Sequence, residues 1–137
     1  LSNYAINIAK KTFPHIDFFV YDITKNKNIE KNMKFDVVVL KDVLWYVFPA
    51  LNICLKNIYR FTKKNGYCLI IQSFPRLDKQ FVGKEVIASP EILEGKLSEF
   101  FNIEYTVIQY NKYLKEDGPI YTCLCRKGKI ENIFNKY

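Results

Sequence analysis

The stretch that most constrains the fold spans residues 35–46, with the sequence FDVVVLKDVLWY. Its centre is a run of four apolar residues, Val37 to Leu40, without the alternation of polar and apolar residues that a half-exposed strand has. Such a run predicts a central parallel strand, buried on both faces between layers of helices. Because ligands of open α/β sheets bind beyond the carboxyl ends of the strands, residues 41–46 are expected to line a cleft.

The rest of the chain predicts helices that alternate with strands, and then a hairpin. Helices are expected at 2–13, 47–63 and 89–100, with Ser2 and Ser89 as N-caps, and strands at 17–21, 67–74, 103–113 and 120–126. Asn65 and Gly66 are expected to end the second helix in a left-handed conformation. Since only a short turn separates the last two strands, they must be antiparallel. The order predicts an α/β fold with a mostly parallel sheet.

Two connecting segments lack any apolar period. The segment 23–34 is rich in lysine and asparagine and predicts a loop. The segment 75–88 is long for a connection, so it is a candidate lid or substrate loop. Residues 127–137 are expected to form a frayed tail or a short helix after a single domain at 1–126.

Composition excludes several classes of protein. The 137 residues are 49% hydrophobic, enough for one domain with its own core. No apolar run is long enough to span a bilayer and the first residues do not resemble a secretion signal, so we predict a cytoplasmic protein without a membrane partner. The net charge is +7, but it comes mainly from lysines scattered through loops. Because arginine is scarce and no helix carries a basic stripe, the charge argues against a nucleic-acid partner.

The cysteines, the histidine and a tyrosine–lysine pair could suggest catalytic or metal sites, but the sequence favours structural interpretations. The four cysteines lie in apolar segments without paired C-x-x-C spacing, which favours buried free thiols over a disulfide or a metal site. His15, the single histidine, follows Pro14 in a turn and is expected to be exposed. Tyr59 and Lys63 match the Y-x-x-x-K spacing of short-chain dehydrogenases. Their helix leads directly into a strand, so we interpret this match as coincidence.

The order of the motifs resembles that of the class I S-adenosylmethionine-dependent methyltransferases. The resemblance rests on FFVYDI, FDVVVLKDVLWYV, IYRFTKKNGYCLII and SPEILEGKLSEFF before a terminal hairpin, and it covers residues 2–126. It implies a Rossmann-like sheet with helices on both faces and S-adenosyl-L-methionine as the cofactor. In that family an acidic residue after the third strand accepts a hydrogen bond from the adenine amine.

The resemblance assigns roles to eight residues. Asp22 takes the position of the adenine-binding acid, with the Ile23 backbone beside it. Lys41, Asp42, Val43 and Leu44 would lie along the cofactor, with Trp45 packing near it. Tyr46 stands where relatives often have histidine.

The family's main cofactor signature is missing. The glycine-rich turn after the first strand and the acidic residue after the second are both absent, since the chain begins with the helix that follows the second strand. In the family's sheet these two strands lie between the third and the fourth. Without them, the predicted strand at 17–21 would lie three strand spacings, about 14 Å, from the predicted strand at 37–40. Both edges would then be unpaired and apolar. We therefore expect a fragment: the carboxyl-terminal portion of a longer methyltransferase.

The expected chemistry is transfer of a methyl group to a small-molecule acceptor. Such a transfer is an in-line displacement that needs the acceptor to be positioned. If the acceptor must lose a proton, Asp42 and Tyr46 are the candidate catalytic residues of the cleft. The aromatic-rich segment 72–86 suits a small acceptor, and no N-P-P-Y-type segment follows 37–40 to indicate methylation of an amino group of adenine or glutamine. The alternative is a non-catalytic binding or regulatory subunit, which would not bind S-adenosylmethionine.

Overall fold

The chain forms a four-stranded sheet with helices, in a computed structural model that describes residues 2–25, 33–110 and 117–128. The elements are α1 (Asn3–Thr12), β1 (Phe35–Lys41), two short 3-10 turns (Leu44–Tyr46 and Phe48–Ala50), α2 (Leu51–Phe61), β2 (Thr62–Pro75), α3 (Pro90–Ser98), β3 (Asn102–Gln109) and β4 (Asp117–Arg126). This order confirms the predicted α/β fold with a carboxyl-terminal antiparallel hairpin.

The strand order across the sheet is β1-β2-β4-β3. The pair β1–β2 is parallel, with Val38 opposite Cys68, and it brings the carboxyl ends of both strands to one edge. The last strand lies between β2 and β3 and is antiparallel to both, with Cys68 opposite Cys125 on the β2 side. The cleft expected beyond Lys41 therefore also borders the end of β2.

The core lies between one face of this sheet and the helices α2 and α3. Side chains from both helices are completely buried against the sheet: Cys54, Leu55, Ile58, Leu93 and Leu97. All four cysteines are free and buried in this core, as the sequence predicts. Shortening one of these aliphatic side chains to alanine costs about 2–5 kcal/mol of stability in a packed core.

The prediction of a strand at 17–21 is wrong. The segment forms no strand, and Phe19 and Val20 are 54% and 41% exposed. The sequence makes it competent to form a strand, but a strand also needs a neighbour to bond its backbone. No described strand lies beside it.

The expectation that β1 is central and buried on both faces is also wrong. The strand lies at an edge of the sheet, with β2 as its one partner among the described residues. Val38 and Leu40 face the core, but Val37 and Val39 on the other face are 52% and 58% exposed. An exposed apolar edge strand of this kind is a template for pairing with another strand.

The helix predicted at 47–63 is shorter than expected. Val47 and Ala50 have φ values of −123° and −127°, so the chain from Leu44 forms two 3-10 turns before α2 begins at Leu51. The helix ends at Phe61, and Asn65 does adopt a left-handed φ of 62°, but inside β2. It lies where the register between β1 and β2 shifts, so it forms part of a bulge and not of a helix end.

The predicted caps and loops agree with the structure where it describes them. The Ser2 hydroxyl accepts a hydrogen bond from the Ala5 N–H at 3.1 Å, and Ser89 caps α3 in the same way. The segment 76–88 has turns but no helix or strand, as predicted. Most of the predicted loop at 23–34, the first half of the predicted hairpin turn at 114–119 and most of the tail lie outside the described residues, whereas residues 117–119 belong to β4. In the part of the chain that is described, no helix has the length and hydropathy required to cross a bilayer.

Candidate functional site

The turn after β1 is built around Asp42. Its φ of 52° turns the chain sharply at the end of the strand, and its N–H still bonds the Ile71 carbonyl of β2 at 2.9 Å. One carboxylate oxygen accepts a hydrogen bond from the Ser73 N–H at 2.8 Å, and the other lies 2.8 Å from the Lys41 ammonium. These bonds tie the ends of β1 and β2 together at the edge where the cleft was expected.

The same partners keep Asp42 ionised. The hydrogen bond from Lys41, followed by that from Ser73, holds the pKa of the Asp42 carboxyl below its ordinary value. Both carboxylate oxygens therefore already have donors, and the group is a weaker base than a free aspartate. Asp42 therefore has a structural role, because its negatively charged carboxylate holds the turn in place.

The residues that follow Asp42 differ in exposure. Val43 is 37% exposed and Tyr46 is 84% exposed, so both reach solvent beyond the end of β1. Leu44 is 1% exposed and belongs to the core. Its side chain supports the turn from behind, whereas the sequence placed it along the cofactor.

Trp45 is the centre of an aromatic cluster beside this turn. Its ring packs edge-on against Phe48, Phe74 and Phe81, with centroid distances of 5.0, 5.7 and 5.6 Å. Its indole N–H donates a hydrogen bond to the Ser73 carbonyl at 3.0 Å. The cluster of Trp45, Phe48, Phe74 and Phe81 therefore joins the end of β2 to the loop 76–88.

The loop 76–88 is also bonded internally. The Lys84 ammonium donates to the carbonyls of Leu77 and Lys79 at 2.9 and 2.8 Å and lies over the Phe81 ring. Gly83 has a φ of 86°, a left-handed conformation that favours glycine. The candidate substrate loop thus has a defined conformation, and its Phe81 packs on Trp45 beside the Asp42 turn.

A second turn, at 22–25, carries the other predicted site residues. One Asp22 carboxylate oxygen accepts hydrogen bonds from the Thr24 hydroxyl at 2.6 Å and the Thr24 N–H at 3.1 Å, and the other lies 3.4 Å from the Lys25 ammonium. The Thr24 hydroxyl, more than the other donors, holds the pKa of Asp22 below its ordinary value. Ile23 packs against the core.

This turn is attached to α2 by Asn57, a residue that the sequence analysis missed. The Asn57 side chain is fully buried, and its amide group donates to the carbonyls of Ile23 and Lys25 at 2.8 and 3.1 Å. The available signal was an asparagine beside the apolar face of a predicted helix. The structure fixes the Asp22 turn on α2 and the Asp42 turn on β2, and no hydrogen bond among the described residues joins the two.

An apolar cavity of about 350 Å³ separates the segment 17–21 from β1. Phe19, Val20 and Tyr21 line one wall, and Phe35 and Val38 line another. The Tyr21 hydroxyl is buried and has no hydrogen-bond partner within the described ranges. The two apolar segments therefore face each other without being bonded side by side.

The Y-x-x-x-K residues do not form a pair. The buried Tyr59 hydroxyl donates to the Gly128 carbonyl at 3.3 Å, whereas the Lys63 ammonium bonds Asp36 at 2.9 Å. The match to a dehydrogenase motif is thus coincidental. His15 is exposed, as expected.

The sequence matches a known protein family. The sequence profile of the methyltransferase domain family matches residues 1–118. The chain belongs to this family. No curated protein matches the sequence significantly.

Solved structures of methyltransferases share the fold of this methyltransferase domain. An S-adenosylmethionine-dependent methyltransferase from Methanosarcina mazei is 13% identical with a TM-score of 0.71, and the alignment covers 94% of this chain and 80% of that one. The N-methyltransferase NodS from Bradyrhizobium japonicum WM9, solved with S-adenosyl-L-homocysteine, is 15% identical with a TM-score of 0.65 and coverages of 93% and 64%. A TehB-like methyltransferase from Corynebacterium glutamicum is 19% identical with a TM-score of 0.62 and coverages of 93% and 65%.

The family match confirms the methyltransferase predicted from the sequence, and the solved structures confirm its fold. This chain spans only about two thirds to four fifths of the length of those three structures. The Asp22 turn has the chemistry that the resemblance predicts for a residue that binds the adenine amine. An ionised carboxylate only accepts hydrogen bonds, and the adenine amine only donates them.

Proposed function

We propose that this chain is the carboxyl-terminal portion of a cytoplasmic methyltransferase that transfers a methyl group from S-adenosylmethionine to a small-molecule acceptor. The observation that carries the proposal is the ionised Asp22 carboxylate on a fixed turn, in a chain of this family. Asp22 would accept a hydrogen bond from the adenine amine, with the Ile23 backbone beside the ring. Lys41 and Val43 would lie along the rest of the cofactor, with Leu44 supporting them from the core.

The cofactor supplies a methyl group activated by the positive sulfonium. The protein has to hold the acceptor in line and exclude water, which the aromatic cluster and the loop 76–88 could do at the end of β2. This apolar surface supports a small or moderately apolar acceptor. Where the acceptor must lose a proton, Asp42 or the exposed Tyr46 would take it.

The proposal includes further strands of the same domain. The edge of β1 and the apolar cavity next to Phe35 and Val38 are the surfaces that two more parallel strands would cover. The half-exposed Val37 and Val39, on the other face of β1, would be covered by the helix of such a strand–helix unit. Extending the reading frame upstream of Leu1 tests this, since two strand–helix units need about 60 residues. A segment of that length with no strand and no glycine-rich turn would contradict the proposal.

Cofactor binding is the direct test of the function. Calorimetry with S-adenosylhomocysteine on the full-length protein should show binding, and Asp22→Asn should raise the Kd about tenfold because a charge-assisted hydrogen bond becomes a neutral one. Asparagine can still accept the two Thr24 bonds, so the turn should remain. Asp17→Asn, the same change at an exposed aspartate nearby, is the control and should leave the Kd unchanged. A wild-type protein that does not bind would favour the non-catalytic subunit.

The role of Asp42 is tested in a turnover assay. Asp42→Asn keeps an acceptor for the Ser73 N–H but removes the charge and the basicity. If Asp42 takes the proton, kcat should fall about 100-fold or more with little change in the Kd for S-adenosylhomocysteine. Unchanged turnover would remove Asp42 from this role and leave Tyr46→Phe as the next variant.

A further inference from the structure

A buried amide group on α2 holds the turn that carries Asp22. Asn57 is 0% exposed, and its two described acceptors are both backbone carbonyls of the turn, those of Ile23 and Lys25. A buried amide must place its hydrogens on acceptors, since an unmade bond leaves a desolvated donor. The contact joins positions 34 and 32 residues apart, so it is a tertiary contact and not part of the turn itself.

Arg60 sets the orientation of the Asn57 amide group. The Arg60 guanidinium, one helical turn further along α2, donates to the Asn57 side-chain oxygen at 3.4 Å. Because a guanidinium can only donate, it selects the orientation in which the oxygen faces Arg60 and the NH₂ group faces the turn. Asn57 therefore presents donors, and only donors, to Ile23 and Lys25.

Among the described residues, the turn has few other attachments to the rest of the domain. Its internal bonds run from Thr24 and Lys25 back to Asp22, so they define its shape but not its place. Ile23 packs against the core. An apolar contact of this kind holds the turn against the core but does not fix the direction in which the turn faces. The two hydrogen bonds from Asn57 supply the directional contact that fixes which way the Asp22 carboxylate points.

We infer that Asn57 is a positioning residue for the cofactor: it does not touch the adenine, but it orients the Asp22 turn that does. This inference rests on the proposed function. It predicts that loss of the amide weakens cofactor binding more than the accompanying loss of stability would explain.

The experiment uses two substitutions and one matched control in the full-length protein. Asn57→Leu keeps the volume and removes both donors, and Asn57→Asp keeps the shape but turns acceptors toward two carbonyls. Thr62→Val is the control, because Thr62 is also fully buried at the end of α2 and its hydroxyl bonds only the Ile58 carbonyl among the described contacts. All three variants should lower the urea midpoint.

The decisive measurements are the Kd for S-adenosylhomocysteine and the KM values in turnover. Both Asn57 variants should raise the Kd and the KM for S-adenosylmethionine at least fivefold while leaving the KM for the acceptor within twofold. Thr62→Val should leave all of these constants within twofold. Equal effects on the Kd from Asn57→Leu and Thr62→Val would mean that Asn57 is merely structural and would overturn the inference.

Amide hydrogen exchange separates this inference from the function on which it rests. The N–H groups of Thr24 and Lys25 should exchange at least tenfold faster in Asn57→Leu than in the wild type, and not in Thr62→Val. If the wild type does not bind S-adenosylhomocysteine, or Asp22→Asn does not change the Kd, the proposed function fails whatever Asn57 does. If those two results hold and the Asn57 variants exchange and bind like the wild type, the positioning role alone fails.

Discussion

Replacing Trp45 with alanine should lower the free energy of unfolding by about 2–4 kcal/mol. Each of its three edge-on ring contacts contributes about 0.5–1.5 kcal/mol beyond area burial, and the bond to the Ser73 carbonyl is lost as well. The effect should stay below the largest values for buried tryptophan, because Trp45 is only partly buried. Urea denaturation followed by circular dichroism measures it, since the variant has no tryptophan left.

Two further variants separate the ring contacts from general effects on the loop. Trp45→Phe keeps an aromatic ring in the cluster but cannot donate to Ser73, so it should lose only about 1 kcal/mol. Val82→Ala changes a loop side chain that is 86% exposed and should stay within about 0.5 kcal/mol of the wild type. If Trp45→Ala were no more destabilising than Val82→Ala, the aromatic cluster would not be holding the loop.

The local signals in the sequence predicted most of the fold. Ser2 and Ser89 do cap helices, and the apolar run at Val37 to Leu40 does form a strand, because caps and strand-forming runs depend on neighbouring residues. The hairpin of β3 and β4 follows from two strands joined by a short connection. These features need no information from distant parts of the chain.

Apart from the start of α2, which two 3-10 turns displace to Leu51, the errors concern pairing between distant segments. The segment 17–21 has the composition of a strand, and β1 has the composition of a central strand, yet pairing and burial depend on which neighbours are present. The left-handed Asn65 was recognised, but its place in a bulge depends on the register between β1 and β2.

The candidate site shows the same difference between local signals and contacts of distant residues. The family resemblance pointed to Asp22, Lys41 and Asp42, but not to Asn57 and Ser73, which fix the two turns. The bond from Asn57 to Ile23 spans 34 residues of sequence, and the bond from Ser73 to Asp42 spans 31. A buried asparagine among apolar helix positions is a weak signal in one sequence. It becomes informative only when the structure identifies the carbonyl groups to which the asparagine donates hydrogen bonds.

Replacing Gly83 with alanine should destabilise the protein by about 2–4 kcal/mol, a large effect for one methyl group. Gly83 has a φ of 86°, which strains any residue with a Cβ atom. A Cβ at this position would also overlap with the ring of Phe48, which is 7% exposed in the core, so the ring or the loop must move. Urea denaturation gives the free energy directly.

The same substitution at Gly95 is the matched control, and it should have the opposite sign. A Cβ on Gly95 meets nothing within 4 Å, and the position is inside α3, where alanine is favoured over glycine by about 0.5–1 kcal/mol. Because Phe48 contacts Trp45, the single tryptophan of the chain, a displaced Phe48 should also shift the tryptophan emission maximum in Gly83→Ala but not in Gly95→Ala. Adding Phe48→Leu to Gly83→Ala should restore part of the lost stability, since the shorter side chain makes room for the Cβ. Equal stability of the two glycine variants would mean that the loop beside the cleft does not pack on Phe48, and the surface proposed to hold the acceptor would lose its support.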